Sequence, residues 1–259
     1  MKTRIHFAPN YFYNPTHPLT IALIGVGGTG SLMLARLARI DHALRQTGHP
    51  GLHVTAYDSD RVEANNVGRQ LYTRSDIGEY KVVNAVGKVN MAFGLQWEGI
   101  PMDAIPDGED IRANIIISCV DNARFRMLLS RSLEFPHRGS EYRTMFYWMD
   151  IGNSRDTGQF VLGTLFDGER KMEREDFEMV DTLKNIVDFF PDLDAHDTPT
   201  LQGAGCAYSD KLNEQSLFIN DVLVAHASDC LFRLLYHKQI QKHGAFVNLE
   251  SGRVNSIGV

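Results

Sequence analysis

Residues 21–31 read IALIGVGGTGS. The apolar run at 19–24, LTIALI, shows no polar alternation, which predicts a strand buried on both faces of a parallel sheet. Gly25, Gly27, Gly28 and Gly30 follow it. Then comes SLMLARLARIDHALRQTG, in which Leu32, Leu34, Leu37, Ile40 and Leu44 recur at helical spacing and Gly48 predicts the stop. Residues 53–57, HVTAY, predict a second strand that ends at Asp58. Strand, glycine turn, helix and strand make a βαβ unit. In that setting G-x-G-x-x-G marks a Rossmann-like nucleotide site, because glycines allow a tight turn and close approach to phosphate, and the helix start offers free N–H groups. The pattern does not identify the nucleotide.

The next stretch narrows the chemistry. Residues 58–81 read DSDRVEANNVGRQLYTRSDIGEYK. An acid at Asp58 suits the hydroxyls of a ribose, and would do so equally in a nicotinamide enzyme. Arg69 and Lys81 are different. They suit a polyphosphate: Arg offers bidentate contacts to oxygen and Lys a compact charge. Asn66 can orient a phosphate oxygen without adding charge. A nicotinamide enzyme has no use for this second set, so the pair of segments points to ATP that is cleaved. When a carboxylate attacks the α-phosphorus and expels pyrophosphate, positive charge is needed where negative charge grows.

Downstream, a helix is expected at 81–93 and a buried strand at 114–119, ending at Asp121-Asn122. Asp121 then lies at the carboxyl edge of the sheet, where one carboxylate with phosphate oxygens suits magnesium. The same dipeptide could simply cap the next helix, expected at 124–135. Strands at 145–150 and 159–165, a helix at 217–235 and a hairpin at 245–259 complete the pattern. The fold class is α/β: a Rossmann-like, mostly parallel sheet with helices on both faces and a C-terminal hairpin. Residues 1–18 read as an N-terminal arm and 19–259 as one domain, with 167–205 a crossover loop.

Bulk properties exclude other classes. The chain has 259 residues, 43% hydrophobic and 22% charged, and a formal net charge of -6. Nothing here calls for nucleic acid, which needs a basic face. No run of about 18 apolar residues suggests a membrane span, and no secretory leader is expected, so the expected location is the cytoplasm. Cys119, Cys206 and Cys230 form neither a disulfide framework nor a zinc motif, which fits a reducing compartment. Cys119 and Cys230 read as structural. Cys206, in GAGCAYSD between the long loop and a helix, is the candidate reactive thiol, against a reading as a small buried residue. The histidines, His196 included, show no ligand spacing.

IGVGGTG, then YDSDRVEANNVGRQLYTRSDIGEYK, then CVDN resembles the ThiF family, the MoeB-like and ubiquitin-activating-enzyme-like adenylating enzymes. The phrases NPTHP, GHPGLHVTAYDSD and EANNVGRQL are similar to the ThiF-family protein of the PRTRC gene system. The resemblance implies ATP- and magnesium-dependent adenylation of the C-terminal glycine of a ubiquitin-like or sulfur-carrier protein. Asp58 would bind the ribose, Asn66, Arg69 and Lys81 the phosphates, and Asp121 magnesium. Arg69, Lys81 and Cys206 would carry the chemistry, Cys206 through a later transfer. The PRTRC likeness implies a small ubiquitin-like partner. A homodimer is left open, because the family's N-terminal arginine motif is absent and Arg4 is the arm's one arginine. The family's four zinc cysteines are absent too. The competing readings are a nucleotide-binding scaffold without catalysis and an NAD-dependent oxidoreductase.

Overall fold

The computed structural model describes residues 2–103, 111–133, 144–166, 176–192 and 215–259. The first elements are β1 (Thr3–Phe7), β2 (Leu19–Ile24), α1 (Gly28–Gln46) and β3 (Leu52–Tyr57). Next come α2 (Lys81–Phe93), β4 (Glu98–Ile100), β5 (Ile115–Ser118), α3 (Ala123–Leu133), β6 (Tyr147–Asn153) and β7 (Thr157–Thr164). The remainder is β8 (Phe177–Met179), α4 (Ile186–Phe189), α5 (Ile219–Phe232), β9 (Gln239–Ile240), β10 (Lys242–Asn248) and β11 (Arg253–Gly258).

Eight strands form one sheet in the order β11-β10-β7-β6-β5-β2-β3-β4. The five from β6 to β4 are parallel, and the pairs β6–β7, β7–β10 and β10–β11 are antiparallel. Each parallel neighbour needs a crossover. α1 carries the chain from β2 to β3, α2 from β3 to β4, and α3 from β5 to β6.

Strand side chains alternate between two cores, as the pleat demands. Leu19, Ile21 and Leu23 of β2 join Ile115 and Ile117 of β5 in the larger core, against α1, α2 and α5. Ala22, Ile24 and Ile116 point to the other face, toward α3 and α4. Both faces are covered, so the central strands read as unbroken apolar runs. Among the described residues no helix is long and apolar enough to cross a membrane.

Several boundaries differ from the sequence reading. The N-terminal stretch is extended, but it is also packed: β1 pairs with β8 and β9 in a second, three-stranded sheet. Ile5, Phe7, Ala8 and Phe12 are buried, and the Phe12 ring meets Phe146 and Tyr147 edge-on. The regular turns of α5 end at Phe232, and the chain continues through a wider π turn at Arg233–His237. The hairpin strands begin three residues earlier than expected, at Lys242. Of the expected crossover loop, residues 176–192 are described and include β8 and α4; the rest, with Cys206 and His196, lies outside the described residues.

Candidate functional site

β2 is the strand at which the winding reverses. The chain leaves it toward β3 on one side and later returns to β5 on the other. The crevice beyond the carboxyl ends of such strands is where open α/β sheets take ligands. The glycine turn occupies that position. The Gly25 N–H donates to the Tyr57 carbonyl at 2.9 Å, and the Cys119 N–H to the Ile24 carbonyl at 2.8 Å. The turn is thus fastened to the ends of both neighbouring strands.

Two of its glycines are required by geometry. Gly25 has φ 84°, and a Cβ there would stand 2.9 Å from the Cys119 carbonyl oxygen. A Cβ on Gly30 would overlap the Gly25 carbonyl, so the first turn of α1 sits against its own approach loop. Gly27 is the N-cap of α1 and supplies no side-chain cap. The first N–H groups of a 19-residue helix are therefore left without a side-chain acceptor, the usual arrangement for an anion site.

Asp58 closes β3 beside this turn. One carboxylate oxygen accepts the Val26 N–H at 2.6 Å and the other the Asp60 N–H at 2.9 Å. Burial pushes its carboxyl up from the ordinary value, while those two N–H groups and the Lys81 charge act against the shift. Each oxygen keeps a further lone pair for a hydroxyl donor. Lys81 is the first residue of α2 and is buried, yet its ammonium reaches the exposed Asp60 carboxylate at 2.7 Å. The turn, the acid and the lysine thus share one edge of the sheet.

The remaining expected residues are placed less uniformly. Arg69 is half-buried, and its guanidinium donates to the Gln215 side-chain oxygen at 3.4 Å. Asn66 is buried and uses both polar atoms locally: its oxygen accepts the Glu63 N–H at 2.9 Å and its amide donates to Asn65 at 2.9 Å. The first of these bonds belongs to a capping box over a 3-10 turn, which fixes the Asn66 side chain and leaves its second amide N–H for a phosphate oxygen. Asp121 is exposed, just beyond β5. Its neighbour Asn122 is the residue that caps α3, accepting the Phe125 N–H at 3.1 Å, and this leaves Asp121 available. Among the described residues no three metal-ligating side chains converge. Burial pushes the thiols of Cys119 and Cys230 far up, Cys230 to about 12, which suits packing rather than reactivity.

The site has supports that the sequence reading missed. Asn220, near the start of α5, accepts the Thr29 hydroxyl at 2.9 Å and also the Asn153 amide. It holds the first turn of α1 against the end of β6. Arg126 and Asp150 form a buried pair at 2.8 Å under the loop that follows β5. The Arg126 guanidinium also donates to the Val120 carbonyl at 2.5 Å, while Ser118 donates to Asp150 at 2.7 Å and Trp148 to Ser118 at 2.8 Å. An acid ending an apolar strand was a legible signal for Asp150; Asn220 had none.

Comparison with known proteins agrees with this geometry. Residues 12–135 match the ThiF family. The rice (Oryza sativa subsp. japonica) ubiquitin-like modifier-activating enzyme 5 is 23% identical over 174 residues, covering 61% of this chain and 37% of the rice protein. E. coli MccB, solved with ATP, superposes with a TM-score of 0.60 at 12% identity, covering 93% of this chain and 63% of MccB. PaaA gives 0.57 at 15%, covering 93% and 64%. Identities this low show the fold alone. The chain spans little more than a third of the rice relative and under two thirds of these structures. The glycine turn, Asp58, Arg69, Lys81 and Asp121 all fall within residues 12–135, the stretch that matches the ThiF family.

Proposed function

We propose that this chain is an ATP-dependent adenylating enzyme that activates the C-terminal glycine of a ubiquitin-like or sulfur-carrier protein. One observation carries the reading: the buried Lys81 pairs with Asp60 and its charge acts on Asp58, the acid that holds the glycine turn before α1. A nicotinamide site needs the acid and the helix start, not this cation. MccB, a protein of the same fold, has been solved with ATP and with MccA.

In the proposed reaction a carboxylate oxygen of the partner's last residue bonds to the α-phosphorus of ATP. The bond from that phosphorus to the bridging oxygen breaks, and pyrophosphate leaves with the electron pair. The N–H groups of Gly28 to Gly30 would face the phosphates, and Asp58 would accept from the ribose. Lys81 and Arg69 would meet the charge that grows on the phosphate oxygens, where preorganised cations act most strongly. Asp121 fits magnesium as a single exposed carboxylate that can share the ion with phosphate oxygens, and the ion when bound would offset phosphate charge. Cys206 is proposed as a later acceptor of the activated tail, and a PRTRC-type ubiquitin-like protein as the partner.

Calorimetry with ATP and NAD, followed by exchange of labelled pyrophosphate into ATP with magnesium and a small ubiquitin-like protein ending in Gly-Gly, tests the reading. Magnesium-dependent ATP binding with exchange supports it. Binding of ATP without exchange favours a scaffold, and tighter binding of NAD than ATP overturns it.

A further inference from the structure

The peptide unit at Val26, inside the glycine turn, is held from both sides. Its N–H goes to Asp58 at 2.6 Å, and its carbonyl accepts the Tyr72 hydroxyl, also at 2.6 Å. The same hydroxyl lies 3.3 Å from the carbonyl of Lys81. Val26 and Tyr72 are both buried. A phenol has one proton, so the shorter contact to Val26 is the main bond and Lys81 receives the weaker share. Both neighbours are carbonyls, which only accept, so the phenol must keep its proton. Burial, with the carboxylates of Asp58, Asp76 and Asp60 adding to it, pushes its pKa far up and keeps it a donor.

The ring stands at a junction. Tyr72 is three residues after Arg69, and its backbone is folded back on that segment: its N–H donates to Gln70 at 2.7 Å and its carbonyl accepts from Gly68 at 3.4 Å. Lys81 in turn is fixed through its own N–H, which donates to the Asp60 carbonyl at 2.9 Å. One hydroxyl therefore touches the phosphate-binding turn and the first residue of the lysine helix, on the segment that bears Arg69.

We propose that Tyr72 is a positioning residue whose hydroxyl sets the spacing between the glycine turn and Lys81, and so the alignment of the lysine with the reacting phosphate. The assignment rests on the adenylation reading above. The ring fills the core whether or not it carries oxygen, so the hydroxyl can be removed alone. Misplacement of a catalytic group by an ångström costs far more in turnover than in ground-state binding.

The test is Tyr72→Phe, with Lys81→Ala and the double variant. Tyr72→Phe should fold, bind ATP within about threefold of the parent, and lose at least about tenfold in the maximal rate of pyrophosphate exchange. In the Lys81→Ala background the same change should cost no more than about twofold, because the group being positioned is gone. A full additional loss there, or no loss in the single variant, overturns the assignment. So does a Tyr72→Phe chain that fails to fold, since the hydroxyl is then structural. If the parent shows no exchange at all, the adenylation reading fails by itself. Amide hydrogen exchange then decides Tyr72: residues 26–28 and 81–83 should both exchange about tenfold faster in Tyr72→Phe without nucleotide, and unchanged protection overturns the proposal.

Discussion

Lys81 and Asp60 are joined twice. The Lys81 ammonium lies 2.7 Å from the Asp60 carboxylate, and the Lys81 N–H lies 2.9 Å from the Asp60 carbonyl. The backbone bond fixes where α2 begins. The side-chain bond gives the ammonium a partner that any phosphate must share or replace. Asp60 is mostly exposed while Lys81 is buried, so a phosphate can take the carboxylate's place without the lysine leaving its seat.

Asp60→Asn should therefore bind ATP more tightly, by about twofold or more. It removes a competing acceptor and one negative charge near the phosphates. Calorimetric titration checks this, and weaker binding would mean that Asp60 orients the lysine instead of competing for it.

Lys81→Ala should act mainly on turnover. Loss of one donor aimed at developing charge costs about 10²–10³ in rate, while nucleotide keeps the contacts of the glycine turn and Asp58. Pyrophosphate exchange should collapse with a far smaller change in ATP affinity. Equal losses in both would show that the lysine serves ground-state binding.

Asp150→Ala should strip Arg126 of its partner under the loop that carries Asp121. Both side chains are nearly sealed from water, at 0% and 9% exposed. Breaking one side of such a pair costs about 3–5 kcal/mol, whereas replacing both by leucine should restore most of it. Urea unfolding of the two variants reads this directly, and a single variant as stable as the parent would contradict the assigned burial.

His49 should make the chain sensitive to mild acid. Burial, and then the nearby Lys238 charge, push its pKa down to about 4, with Asp41 acting in the other direction. Its Nδ1 accepts the Gly51 N–H at 2.9 Å, and a proton there would set two donors against each other. A group depressed in the folded state contributes stability above its unfolded pKa, about 6.5, and loses it as pH falls toward the folded value. Stability should therefore drop between about pH 6.5 and 4, and His49→Gln should flatten that part of the curve in pH-dependent melting. An unchanged slope would remove His49 from the acid response.

The strands and helices that the sequence reading bounded well are those whose ends carry chemistry. Residues 19–24 run into glycine, and 81–93 begin at Lys81 and end at a glycine in the left-handed region, so both spans match β2 and α2. β1 was not legible as a strand because its partners, β8 and β9, are three and two residues long and far away in sequence. The same limit governs the site. Gly25, Asp58 and Lys81 lie on one continuous run from β2 to the start of α2 and could be read together. Asn220 meets Thr29 across 191 residues, and nothing near either residue announces the other. The local bonds of Asn66 were not legible, because a 3-10 capping box led by Glu63 leaves little trace in sequence. Asp60, the second acid of D-S-D, stood in plain view, but its partner became visible only once α2 was seated.

The brace from Asn220 also bears on how the protein comes into being. The glycine turn is translated early, yet the amide that steadies its helix arrives some 190 residues later, on α5. During synthesis the turn would lack this brace until that helix leaves the ribosome and docks beside Thr29 and Asn153. On the proposed function, firm nucleotide binding would then be a late event in the life of each new chain, and a nascent chain halted before α5 would hold nucleotide loosely.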